Sequence, residues 1–293
     1  MNQDYLYRGV IDDLDMRFVI ADCTQAANQI ILNHDCDPVA AAILANGIAS
    51  TALLSALLIE DEKYTVKWKT DGALGLVMAD CNAQTHLRAL ISNPHLASSI
   101  QEESEIWGKE GSISLIKSSQ SKILNSGVVE ANFHDLSQDL AFFLSFSDQI
   151  ETGIATTVNF NPDPHNPIRN CRAFMIQALP DCNLERFEKV RGKLADAHAK
   201  QLLAQDSPSD NHFEIILKYI SETLIKQPQF SLEEAPPPQF KCTCSQKAIA
   251  QVAKSLGQDE LDDAFKTSNA LKITCQFCNT TYEITKADLE RLT

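Results

Sequence analysis

The sequence predicts an α+β fold: a mixed sheet-and-helix domain over residues 1–180, a helical linker over 181–238 and a small C-terminal domain over 239–293. Three observations predict it. Short β-like runs cluster in the first 180 residues without the strand–helix–strand rhythm of a parallel sheet. After Pro180 the chain becomes charged segments with single apolar stripes, closed by the stiff spacer Pro236-Pro237-Pro238. Beyond the spacer, two close cysteine doublets stand 30 residues apart.

In the first domain, residues 16–22 alternate at their start and read as a strand. Thr24 is placed to cap a helix running to about Asn33. Asp37-Pro38 opens a long apolar helix, because proline suits the first helical position, whose N–H has no partner anyway. Residues 39–59 carry no charge and are long enough to span a bilayer. Asn46, Gly47, Ser50, Thr51 and Ser55 inside that run, and acidic Asp37 and Glu60 beside it, argue instead for a helix buried in a core. His34 reads as a helix-end residue facing terminal carbonyls. Residues 64–70 alternate with period two, and Asp71-Gly72 signals a hairpin turn. Strands are expected at 74–81, 86–90, 112–117, 128–132 and 171–179, and a helix at 136–146.

In the linker, Leu184, Phe187, Val190 and Leu194 keep helical spacing, and Asp206-Ser207-Pro208-Ser209-Asp210 interrupts the pattern. A second helix carries Phe213, Ile216, Leu217, Ile220 and Leu224 on one face, with Glu214 and Lys218 as an i,i+4 pair. Helices this short are not stable alone, so each must dock its stripe on something.

Composition narrows the function. The chain has 293 residues, 44% of them hydrophobic, and a net charge of −14, which disfavours nucleic acid or an anionic membrane as partner. Met1-Asn2-Gln3-Asp4 lacks the basic and apolar regions of a signal peptide, so the nine cysteines imply a reducing cytoplasm. The sequence holds no phosphate-cradling glycine loop, no Gly-x-Ser-x-Gly elbow and no His-Glu-x-x-His, and nothing in it marks an enzyme. Cys23, Cys36, Cys81, Cys171 and Cys182 lack ligand spacing and read as small core hydrophobes.

Cys242-Thr243-Cys244 and Cys275-Gln276-Phe277-Cys278 do have ligand spacing. Four thiolates make a closed tetrahedral site for one Zn²⁺, and soft sulfur ligands select zinc or iron–sulfur over hard cations. A catalytic zinc normally keeps one position open for water, which an all-thiolate set does not. The Cys-x-Cys half is tight enough for oxidation to close a small, strained and readily reducible ring. The same four residues can therefore be a permanent staple or a redox switch, and spacing alone leaves both open. Seven Lys/Arg and seven Asp/Glu in residues 239–293 leave the tail without the basic face expected of a nucleic-acid-binding ribbon. Residues 245–256 read as a helix anchored by Ile249 and Val252, and 272–274 and 281–284 as strands around the second doublet. Asn279 suits a left-handed turn residue there. So little apolar mass should fold only around a metal.

Lys241-Cys242-Thr243-Cys244-Ser245 and the Cys275–Cys278 knuckle with Tyr282 behind it resemble the redox-regulated bacterial holdase chaperones of the 33-kDa heat-shock protein family. Asp71-Gly72-Ala73-Leu74-Gly75, Gly108-Lys109-Glu110-Gly111 and Gln177-Ala178-Leu179-Pro180 support the likeness, which spans essentially the whole chain. The resemblance implies an ATP-independent cytoplasmic chaperone, inactive when reduced and zinc-bound through Cys242, Cys244, Cys275 and Cys278. It implies disulfides Cys242–Cys244 and Cys275–Cys278 on oxidation, loss of zinc, unfolding of tail and linker, capture of unfolding client proteins, and dimerisation on activation. The chain departs from the family's pattern at Ser147-Asp148-Gln149, Arg172-Ala173 and Asn279, which leaves client range and activation threshold open. The competing class is a zinc-ribbon nucleic-acid-binding or adaptor protein with a purely structural zinc; peroxide-insensitive zinc would mark it.

Overall fold

The computed structural model describes residues 3–120, 122–205 and 212–291. In chain order these form β1 (Tyr5–Ile11), β2 (Met16–Asp22), α1 (Thr24–Asn33), α2 (Pro38–Leu54), β3 (Glu62–Thr70), β4 (Leu76–Asn82), β5 (His86–Ile91) and α3 (Ser104–Trp107). There follow β6 (Gly111–Ser119), β7 (Lys122–Glu130), α4 (Leu136–Phe146), β8 (Thr152–Phe160) and β9 (Ile168–Ala178). Residues 184–240 supply α5 (Leu184–Ala195), α6 (Ala197–Ala204), α7 (His212–Ser221), β10 (Phe230–Ala235) and β11 (Gln239–Phe240). The tail holds α8 (Gln246–Lys254), α9 (Gln258–Thr267), β12 (Ala270–Thr274), β13 (Thr281–Thr285) and α10 (Lys286–Glu290). The chain divides into two compact units, Met1–Phe240 and Lys241–Thr293. The α+β class expected from the sequence is what the chain adopts.

Two sheets build the first unit: a five-stranded one in the order β10-β1-β2-β9-β8 and a six-stranded one in the order β11-β5-β4-β3-β6-β7. Pairing is antiparallel except between β11 and β5. Helix α2 packs against strands of both sheets, which is why it is apolar on every side. Twelve of its residues are buried, and Gly47 lets Leu136 approach to within 3.0 Å of where a Cβ would stand. The run that was long enough for a membrane is thus a core helix. Asp37 caps it, accepting from the Ala40 amide at 2.8 Å and from the Ala97 amide at 2.5 Å. Trp68 lies fully buried nearby and donates its indole N–H to the Leu136 carbonyl at 3.1 Å.

The five-stranded sheet is apolar on both faces. Val19, Ala21, Ala173 and Met175 join the core around α2, while Phe18, Ile20, Phe174 and Ile176 join a second core with Phe187, Val190, Leu194, Phe213, Ile216, Leu217 and Ile220. The stripes of α5 and α7 thus find the docking surface that helices of this length need. Each fully buried Leu, Ile, Val or Phe contributes about 1.5–3 kcal/mol, so packing rather than helix propensity holds these elements.

Several expectations change. Thr24 does not cap α1: its hydroxyl donates to Asp22 and accepts from the Cys171 amide, while the carboxylate of Asp4 takes the Gln25 and Ala26 amides. His34 is the C-terminal cap of α1 as expected, its amide donating to the Ile30 and Ile31 carbonyls at 3.2 Å, while its ring also meets the Ala89 carbonyl on β5 at 3.0 Å. Strand β7 starts at Lys122, well before the expected 128. Strands β1, β8, β10 and β11 and helices α3, α6, α9 and α10 lie outside the elements expected from the sequence. The interruption at Asp206–Asp210 lies outside the described residues.

Asp37→Ala should remove the cap of the central helix and cost about 1–2 kcal/mol, read as a lower urea midpoint with an unchanged slope. An unshifted midpoint would show that water replaces the carboxylate at no cost.

Candidate metal centre

The second unit has a small core: Ile249, Ala250, Ala253, Cys275 and Ile284 are buried, with Leu271, Ile273, Phe277 and Tyr282 packed against them in part. Its frame is the β12–β13 hairpin, in register from Ala270↔Thr285 to Thr274↔Thr281. The knuckle closes the hairpin. The Asn279 amide donates to the Cys275 carbonyl at 2.8 Å and the Cys275 amide to the Thr280 carbonyl at 3.0 Å. Asn279 takes the left-handed conformation, with φ at 52°, as its position in the sequence suggested. The first doublet leads into α8, whose first turn is capped by Ser245 accepting from the Ala248 amide at 3.2 Å. Ile249 anchors α8 as expected, but Val252 is 58% exposed; Ala250 and Ala253 face the core instead.

The four sulfurs of Cys242, Cys244, Cys275 and Cys278 lie within 4.8 Å of one another. Cys242 Sγ is 3.7 Å from Cys275 Sγ, and Cys244 Sγ is 3.3 Å from Cys278 Sγ. A tetrahedral ion with sulfur at about 2.3 Å sets its ligands about 3.8 Å apart, so the quartet fits zinc with only small adjustment. Cys275 is buried and the other three are partly exposed, which leaves sulfur open to a small oxidant.

Neighbouring groups split the thiols. Burial pushes Cys242 up to about 12 and raises Cys244 as well. Burial acts the same way on Cys278, but hydrogen bonds with Thr280 and with the neighbouring sulfurs of Cys244 and Cys275 together outweigh it and hold that thiol at about 7. The Thr280 hydroxyl stands 3.3 Å from Cys278 Sγ, and the Tyr282 hydroxyl 3.0 Å from Cys244 Sγ. Both hydroxyls can donate to a thiolate and so favour the form a metal needs. Tyr282 was singled out in the sequence by its motif; Thr280 was not, because its contact comes from the turn at Asn279.

None of the five scattered cysteines belongs to the four-cysteine cluster. Cys23, Cys81 and Cys171 are buried and Cys36 and Cys182 half-buried. Burial raises every one of these thiols, Cys36 and Cys81 to about 12, which suppresses the reactive thiolate.

Comparison with known proteins agrees with the fold. The profile of the Hsp33 protein family matches residues 4–285. A "33 kDa chaperonin" of Bacillus pumilus is 30% identical over 297 residues, covering 99% of this chain and 98% of the relative. The "33 kDa chaperonin" of Bacillus subtilis is 28% identical over 294 residues, with 99% and 98% covered. In fold, the chain is similar to the crystal structure of the 33 kDa chaperonin from Thermotoga maritima, with a TM-score of 0.81, 20% identity, and 100% and 98% of the two chains covered.

Tyr282→Phe should keep all four sulfurs yet weaken zinc about tenfold, the usual cost of losing an outer hydrogen bond to a ligand. Competition against a chelator of known affinity reads the change; an unaltered constant would reduce Tyr282 to a packing residue.

Proposed function

Since this chain belongs to the Hsp33 family, we propose that it is a redox-regulated, ATP-independent holdase, a chaperone and not an enzyme. The observation that carries the reading is the quartet of sulfurs within 4.8 Å in a unit with so small an apolar core. In the reduced protein, Cys242, Cys244, Cys275 and Cys278 hold one Zn²⁺ as thiolates. Zinc supplies the cross-link that the core of the tail is too small to replace. Peroxide oxidises the pairs to disulfides Cys242–Cys244 and Cys275–Cys278. Forming each disulfide takes two electrons from a pair of thiolates, and with two protons from solvent they reduce one peroxide to two waters. With its donors gone the site loses the ion, and the tail loses its fold.

The linker, 181–238, follows. Its helices are held by one shared core with the five-stranded sheet, and undocking it exposes an apolar sheet face to unfolding client proteins. Activation is accompanied by dimerisation. The setting is the cytoplasm, where reduced thiols are the resting state and a disulfide is a signal. Nucleic acid and membrane are not partners in this reading, which is supported by a tail of balanced charge in a chain of net charge −14.

Adding peroxide to the reduced protein under mild heat should release zinc to a metallochromic dye and, in step, suppress light scattering by a denaturing client. A thiol reductant should reverse both. Zinc that stays bound, or leaves with no gain in protection, would make the cysteines a staple. A second outcome concerns the linker. Ile216→Ala removes a fully packed side chain from the shared core, a loss of about 2–5 kcal/mol, and should give the reduced, zinc-loaded protein part of its holdase activity without oxidant. If the variant is destabilised yet silent until oxidised, linker docking does not set the resting state.

A further inference from the structure

Residues 230–240 form a strap across an outer strand of each sheet. β10 runs antiparallel along β1 in six paired positions, from Leu6↔Ala235 to Ile11↔Phe230, and β11 lies parallel to β5. No side chain of β10 is buried, and the four in its middle are exposed. Phe230 and Ala235 at its two ends pack in part on the two cores, and between them the hold is the ladder to β1 and polar contacts. The Val10 amide donates to Ser231 Oγ at 3.2 Å, and the Asp12 amide, just past β1, donates to the Gln229 carbonyl at 3.2 Å. Arg8 adds a forked contact to the Glu233 carboxylate, Nε at 3.0 Å and Nη2 at 2.7 Å. Gly9 keeps the seat open: a Cβ there would stand 2.0 Å from the Ser231 carbonyl oxygen.

Without the strap, β1 would be a bare sheet edge of seven residues, backed by β2 and with Leu6 and Ile11 fully buried beneath it. Such an edge pairs with an extended chain through main-chain hydrogen bonds, with little demand on its side chains. An unfolding protein offers what this edge lacks: unpaired backbone in extended form. We propose that the β1 edge is the client seat. An extended client segment adds antiparallel to β1 in the place of residues 230–235, which block the seat in the resting chain. Arg8 favours a segment with a carboxylate opposite it, as Glu233 is now. The inference rests on the holdase reading and adds to its apolar sheet face an edge that binds client backbone.

The test uses the full-length protein and a labelled peptide of residues 229–236, followed by fluorescence anisotropy. The oxidised protein should bind the peptide, and the reduced, zinc-loaded protein, its seat occupied, should bind it at least tenfold more weakly, roughly the worth of two ladder hydrogen bonds. The direction of the Val10 and Asp12 amides sets which strap amides face β1. N-methylation at Ser231 and Glu233 should abolish binding, whereas N-methylation at Leu232 and Glu234, whose amides face away, should spare it. A chemically unfolded client should displace the bound peptide. Equal binding of the two methylated peptides overturns the proposal, as does a client that suppresses none of the peptide signal while being protected from aggregation; the holdase reading survives both. If the oxidised samples fail to suppress client aggregation at all, the holdase reading falls and the client seat with it, whatever the peptide does.

Discussion

The second core, where Phe187, Val190, Ile216 and Ile220 meet Phe18, Ile20, Phe174 and Ile176, is the packing on which the arrangement of this chain depends. A five-stranded antiparallel sheet commonly has one wet face. Here β2 and β9 are apolar on both sides, so the sheet needs α2 on one face and the linker helices on the other. The need is mutual. Helices of 12, 8 and 10 residues have no stability of their own, and the sheet face is too apolar to be left in water. An element bound only by tertiary packing has a free energy of docking that neighbouring events can offset, which is what a releasable linker requires.

The tail is built on the opposite economy. It has a two-stranded sheet and five buried core residues, of which one is itself a ligand candidate, Cys275. A unit of this size cannot offset its chain entropy by burial, so a metal cross-link is the natural remedy. Sulfur is the donor that binds zinc tightly and is also the donor an oxidant can remove. Those two properties belong to the same lone pairs, so the strength of the cross-link and its vulnerability cannot be separated.

Much of this could be seen in the amino-acid sequence where a side chain's role is local. Met16–Asp22 and Leu136–Phe146 fall where their patterns put them, and Asp37-Pro38 starts α2 through a cap that neighbours in sequence make. The doublets at 242–244 and 275–278 were legible because ligand spacing is a local constraint as well. What stayed hidden depends on distant partners. The start of α1 is capped from Asp4, 21 residues from Gln25, so Thr24 gave a false signal. Strand β10 carries an exposed, acidic pattern, Phe-Ser-Leu-Glu-Glu-Ala, with no periodicity to announce it; only the unsatisfied edge of β1 makes it a strand. Val252 and Ala253 show the same limit on a helix, since the face that is buried is chosen by the hairpin it meets and not by hydrophobicity alone. Strand β8, Thr-Gly-Ile-Ala-Thr-Thr-Val-Asn-Phe, and β1, Tyr-Leu-Tyr-Arg-Gly-Val-Ile, do carry a usable signal in their β-branched and aromatic residues.

The placement of the cysteines ties these parts together. The five outlying thiols sit in or beside the first unit's cores, where burial raises each of them and disfavours the reactive thiolate. The four with ligand spacing are confined to the second unit, where Cys275 is buried and the other three are partly exposed. Covalent continuity does the rest. Cys242 follows Phe240, the last residue paired to β5, by two positions. Residues released from β5 and then from β1 gain the freedom of a longer unpaired segment, and two paired positions hold less than six. The strap should therefore peel from its C-terminal end, with β11, held by two paired positions, leaving before β10, held by six. A ladder opened from one end gives way in steps, so a partly released strap would clear the β1 edge beside Leu6 first and the edge beside Ile11 last.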